Sequence, residues 1–136
     1  MYKMIRLRFV SVSEIVGTDD LALMLLADEQ RERQISIVCS RDLAVQLDMR
    51  VKKLPITQRM LPEVLYNIIS RQKDLCFHLL ISDISDGQYD SMLVISDTQE
   101  MIPIRVSDAV LLSVANDVPL FIYEQLMMRQ SVVYRE

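Results

Sequence analysis

Asp83, Asp86, Arg105, Ser107 and Asp108, all in the carboxyl-terminal half, are the residues of this chain best suited to chemistry. Carboxylates can activate a water or hold a divalent cation such as Mg²⁺ or Mn²⁺, and a guanidinium can neutralise phosphate charge. Hydrolysis of a negatively charged ester uses those roles together. On that reading the five residues form the candidate catalytic set, with Asp86 and Asp108 as the candidate metal ligands. Each also has a purely structural use. Asp86 precedes Gly87, a dipeptide typical of tight turns. Ser107 and Asp108 suit the first turn of a helix, the hydroxyl as cap and the carboxylate as partner of the macrodipole. Arg105 can pair with Asp108 or a neighbouring carboxylate.

The remaining composition excludes much else. His78 is the one histidine, which removes the usual histidine-based metal sites; inside an apolar run it reads as a strand residue. Gly17 and Gly87 are the only glycines, too few for a glycine-rich phosphate loop. Cys39 and Cys76 have no close-spaced partner, a usage that suits reduced thiols in a reducing compartment. Cys39 sits beside an expected helix start, which favours thiolate, but a buried, silent thiol is the plainer reading. The formal charge is −4, so nucleic acid binding needs a local basic patch; Lys52 and Lys53 read as solvated surface.

With 136 residues, 51% of them hydrophobic, the chain is long enough for one core and apolar enough to fold. Its apolar stretches, 21–27 and 110–114, fall short of the roughly 20 residues of a membrane helix. Residues 1–8 alternate basic and apolar side chains and lack the apolar run of a signal peptide. A cytoplasmic protein without membrane contact is expected.

These candidates need elements to hold them. Met4 to Val12 and Leu21 to Ala27 read as strands of a hairpin turning at Gly17 to Asp20. Ile35 and Ile37 alternate with polar residues in a third strand. Ser40 then caps a helix to Arg50, with Asp42 in its first turn. The apolar positions Leu61, Val64, Leu65, Ile68 and Ile69 follow helical spacing; Pro62 leaves the start open between Thr57 and Leu61. Cys76 to Asp83 and Tyr89 to Ile95 form a second hairpin about Asp86 and Gly87. Met101 to Val106 follows as a strand, with Pro103 marking an edge. Ser107 caps a helix to about Ala115, Pro119 to Tyr123 is extended, and Glu124 to Arg129 is a terminal helix or turn.

A shift of 67 positions places Ile35 on Ile102, Ile37 on Ile104, Ser40 on Ser107 and Leu47 on Val114. This suggests one α+β domain built by internal duplication of a β-β-β-α-α unit, at about 1–72 and 73–136, with a mainly antiparallel sheet packed against helices.

Three segments resemble the bifunctional nuclease domain family of bacteria and plants. Ile104 to Val110 with Val118, Pro119, Leu120 and Phe121 looks like its Arg-Pro-Ser-Asp-Ala-Ile stretch and downstream Pro-Ile-Tyr. Asp83 to Tyr89 is similar to its Asp-Leu-Arg-Asp-Gly-Thr-Phe-Tyr hairpin, and Leu54 to Thr57 to the start of its Arg-Pro-Leu-Thr-His-Asp segment. The resemblance implies RNA or DNA cleavage. The chain departs from it at Gln58 and Arg59, where the family has His-Asp, at Val106, where it has proline, and at Val38, Cys39, Asp42 and Leu43. Loss of the His-Asp pair leaves a second reading, a catalytically inactive interaction or ligand-binding module of the same fold. Nine methionines, Met127 and Met128 among them, and sheet edges needing cover suggest a homo-oligomer.

Overall fold

The computed structural model describes residues 3–72 and 76–133; residue 73, the expected start of the second repeat, lies outside them. The described elements run β1 (Met4–Glu14), β2 (Leu21–Asp28), β3 (Arg33–Ser40), α1 (Arg41–Val51), α2 (Leu61–Ile69), β4 (Phe77–Ser85), β5 (Gln88–Ile95), β6 (Met101–Arg105), α3 (Val106–Asn116), β7 (Leu120–Tyr123), α4 (Glu124–Gln130) and β8 (Val132–Val133). They make an α+β fold with one eight-stranded sheet in the order β6-β5-β4-β7-β1-β2-β3-β8. All its pairings are antiparallel except that of β4 with β7.

Two three-stranded meanders, β1-β2-β3 and β4-β5-β6, flank β7. Because β6 and β7 both run parallel to β4, α3 is a crossover connection, which must lie on a face of the sheet. Ala109, Val110, Leu111 and Leu112 are accordingly buried, in one cluster with Leu7, Leu26, Leu47, Leu79, Ile81, Leu120 and Ile122. Asp117, with φ of 57°, ends the helix in a left-handed turn. The proline-bearing strand β6 is an edge, paired with β5 alone.

The sheet cannot be flat. Six strand spacings of about 4.8 Å would put β3 about 29 Å from β6, yet residues of both line one cleft. The sheet therefore wraps round α3, and the cleft is the gap between its ends.

Several expectations need correction. The two meanders exist, but the 67-residue register is not kept: α1 begins at Arg41 and α3 at Val106, 65 positions apart. A strand, β7, also separates α3 from α4, whereas α2 follows α1 with no strand between. The internal duplication is thus not established. Ser107 is not a cap. That place is held by extended Arg105, and Ser107 lies in the first turn of α3. Ser40, by contrast, does cap α1, its Oγ accepting the Leu43 amide hydrogen at 3.1 Å.

The largest surprise is α2. It starts at Leu61, which places Pro62 in the first turn where no amide is needed. The apolar stripe that identifies it as a helix faces outward: Leu61, Val64, Leu65, Ile68 and Ile69 are all exposed. The side facing the core carries Glu63, buried completely, and Tyr66, edge-on to Phe77 at 5.6 Å. Periodicity fixes the helix but not which side of it meets the core.

Arg50, in the last turn of α1, explains the rotation. Its Nε donates to Glu63 Oε2 at 2.9 Å, its Nη2 donates to Oε1, and its Nη1 donates to the Gln46 carbonyl and side-chain oxygens at 2.9 and 2.8 Å. Glu63 also accepts from the Met60 amide at 2.9 Å and from Arg59 at 3.4 Å. Burial alone would push the Glu63 carboxyl up, but the Arg50 and Met60 hydrogen bonds, the Arg50 charge and Arg59 outweigh it and hold it below its ordinary 4.5.

A carboxyl that titrates lower when folded stabilises the fold at pH above its unfolded value, and that contribution is lost as pH falls through the folded one. Glu63→Gln should therefore cost about 3–5 kcal/mol at neutral pH by leaving Arg50 buried without its counter-charge. Urea unfolding followed by circular dichroism tests this. The wild type should lose its advantage over the variant on acidification below pH 4.5; an unchanged neutral-pH midpoint in the variant would contradict the assignment.

Candidate functional site

The cleft between the ends of the sheet has a volume of about 1500 Å³. One wall is residues 36–40 of β3 with Leu43 of α1; the other is residues 87–92 and 103–108, with Ser82 and Asp83 at one side and Met60 at another. Its shape follows from strand pairing. β8 covers β3 only at Arg33 and Gln34, so the outer edge of β3 is open where it borders the cleft.

Four of the five candidate residues line this space: Asp83, Arg105, Ser107 and Asp108. Asp86 does not. With φ of 52° at Asp86 and 78° at Gly87, and Ser85 paired to Gln88, the two residues form the tip of a two-residue hairpin turn. Asp86 thus does the local work of a turn, apart from the cleft lining that includes Asp108.

Register brings in a residue that inspection of the motifs passed over. Asp83 is opposite Asp90 on β5, and Asp90 is opposite Arg105 on β6. Opposite residues on antiparallel strands point to the same face with Cβ atoms about 5 Å apart, so two carboxylates and a guanidinium stand in one row. Counting back from a two-residue turn at Asp86 and Gly87 gives the Asp83–Asp90 pairing directly, so Asp90 was findable. The β6 register was the harder part. Ser91 pairs with Ile104 and Asp90 with Arg105, a register that the turn between β5 and β6, unlike the two-residue one, does not encode.

Arg105 holds Asp108 through both oxygens, Nε to Oδ2 at 2.9 Å and Nη2 to Oδ1 at 3.1 Å. The pair spans the first turn of α3 and stands where a serine cap was expected. It leaves the first-turn amides of α3 without a side-chain cap, beside a guanidinium that is mostly exposed. Hydrogen bonds from Arg105 to Asp108 and the Asp108 charge push the guanidinium further up, so it is always charged. Asp83 Oδ1 accepts the Ile84 amide hydrogen at 2.8 Å. Tyr89 brings a phenol to the cleft that burial pushes up, keeping it a neutral donor.

A bound divalent cation does not fit these residues as they stand. Among the described residues no three of His, Cys, Asp and Glu converge to hold one, and both oxygens of Asp108 are engaged by Arg105.

The model of the bifunctional nuclease domain family matches residues 24–135, from within β2 through β3, the second meander and α3, with β1 outside it. The chain belongs to that family. No curated protein matches it. In this family member the segment where the resemblance predicts His-Asp carries Gln58 and Arg59, and Arg59 Nη1 donates to Glu63 Oε2 at 3.4 Å. Among the described residues no helix is long and apolar enough to cross a membrane.

The other reactive groups are structural. His78 on β4 stacks edge-on with Phe121 at 5.4 Å, and burial lowers its pKa. Cys39 is buried on the inner side of β3, and burial pushes its thiol up, away from thiolate. Cys76 is exposed. Titration with a disulfide reagent at pH 8 should therefore modify Cys76 rapidly and Cys39 only after denaturant is added, as mapped by peptide mass. Rapid labelling of native Cys39 would show that the cleft opens to it.

Proposed function

We propose that this member of the family is a nuclease whose cleft takes a phosphodiester of single-stranded RNA or DNA, with Arg105 as its phosphate ligand. The observation that carries this reading is the pairing of an exposed guanidinium with the uncapped amino-terminal turn of α3 on one wall of the cleft. Helix amino termini favour anions because their free amides and the macrodipole point the same way. A formal charge of −4 disfavours general adhesion to nucleic acid, so local recognition of this kind has to supply the attraction.

In this mechanism Arg105 and the first-turn amides stabilise charge that grows on the non-bridging oxygens as water attacks. Asp108 is a positioning residue: its bidentate grip holds the guanidinium at the cleft. Ser107, in the same turn, offers a hydroxyl to a phosphate oxygen. Asp83, with Asp90 opposite, is the base that orients the water and takes its proton. The departing oxygen takes its proton from solvent. No step here is routed through a metal ion; among the described residues no three carboxylates converge to hold one.

A second reading is favoured by one observation, the diversion of Arg59 to Glu63 at the point where the family has His-Asp. On that reading the cleft binds nucleic acid without cutting it.

Purified protein given a fluorescent single-stranded RNA or DNA, with Mg²⁺ or Mn²⁺ supplied, decides between them. The proposal expects cleavage that falls at least about 100-fold in Arg105→Gln, and that falls in Asp108→Asn while the fold, by circular dichroism, is kept. Binding without cleavage by the wild type would establish the second reading. Cleavage unaffected by Arg105→Gln would remove Arg105 from the site.

A further inference from the structure

We propose that the outward side of α2 is the contact surface between two copies of this chain, packed helix against helix about a two-fold axis. The inference is independent of what the cleft does.

Leu61, Val64, Leu65, Ile68 and Ile69 are 66, 40, 48, 55 and 37% exposed. Their spacing places the first four along one stripe and Ile69 on its flank. The helix could have met the core with this stripe. It does not, because the buried bond between Arg50 and Glu63, together with Tyr66 against Phe77, fixes the opposite side inward. A helix held with its polar, charged side in the core and its aliphatic side in water is a surface prepared for another protein surface.

Three features select a second copy as that surface. First, Glu63 is the only charged residue in α2, and it is buried. A two-fold contact sets each residue against its own kind, so charges there would meet like charges; this side of the helix carries none. Second, positions 61, 64, 65 and 68 make the narrow seam by which two helices pack ridge into groove, and an antiparallel pair of such seams is self-complementary. Third, at these exposures the five side chains present roughly 450 Å² per copy, over half of the roughly 800 Å² each partner contributes to a standard interface.

Of the features from which self-association was first expected, Met127 is in the core while Met128 is exposed, and edge strand β6 is blunted by Pro103 while the outer edge of β3 is unpaired beyond Gln34; none of them is a contiguous aliphatic face like that of α2.

Sedimentation velocity of the purified chain at low to high micromolar concentration tests the proposal. The wild type should sediment as a dimer that dissociates on dilution. Leu65→Glu with Ile68→Glu should sediment as a monomer at all concentrations, with unchanged circular dichroism and thermal midpoint, since neither side chain is in the core. Should the double variant fold poorly, Leu61→Lys alone, at the most exposed position, should weaken dimerisation at least tenfold. A wild type that stays monomeric at high micromolar concentration would overturn the proposal, as would a dimer that survives these substitutions. Binding of monomeric wild type to phosphatidylglycerol vesicles would instead assign the face to a lipid surface.

Discussion

Ala109, Val110, Leu111 and Leu112 lose nearly all contact with solvent, so α3 cannot slide along or turn about its axis without opening voids in a close-packed interior. That constraint sets the position of everything chemical in the molecule. The crossover from β6 to β7 requires a helix on the sheet, burial fixes its depth and rotation, and the sheet wraps it until strands from opposite ends border one cleft. The amino terminus of α3 then opens into that gap. Arg105 and Asp108 close the first turn by pairing with each other, so one short motif serves as helix start and ion pair at the wall of the cleft. Shortening a side chain in the middle of α3 would act on the cleft from a distance, by loosening the helix that presents Arg105.

A second buried interaction works at the other end of the helical layer. Arg50 and Glu63 join the last turn of α1 to the first turn of α2, and Glu63 also takes the Met60 amide, which orients the residue by which this corner reaches the cleft. Buried ion pairs are costly to desolvate and often add little net stability over an apolar pair. Here the bond fixes which side of α2 faces inward. An aliphatic pair at 50 and 63 would let α2 roll its own apolar stripe toward the core and withdraw it from the surface.

Much of this was legible from residue types. The strand alternation at Ile35 and Ile37, the Asp86–Gly87 turn, the Ser40 cap and the edge role of Pro103 all rest on local physics, and each stands in the structure. What was hidden was non-local. The seat of β7 between β4 and β1 depends on a crossover that no local pattern encodes. The outward stripe of α2 looked like a core-facing one because helical spacing is the same either way; the clue was Glu63, a carboxylate at the pole opposite that stripe, with Arg50 a short distance upstream. Ser107 looked like a cap because serine is good at it, and the competing Arg105–Asp108 pair took the place two residues earlier. In the site, Asp83 and Asp108 were visible as single acids, but their relation to Asp90 and Arg105 exists only through strand register.

We propose that a phosphodiester is received at the start of α3. Titration of isotopically labelled protein with a short single-stranded RNA, followed by amide and arginine side-chain nuclear magnetic resonance, tests it most directly. The largest shifts should fall on residues 103–108, the Arg105 Nε group and the facing residues 36–40, and should disappear in Arg105→Gln. Shifts confined to surfaces away from the cleft, or no response at all, would contradict it.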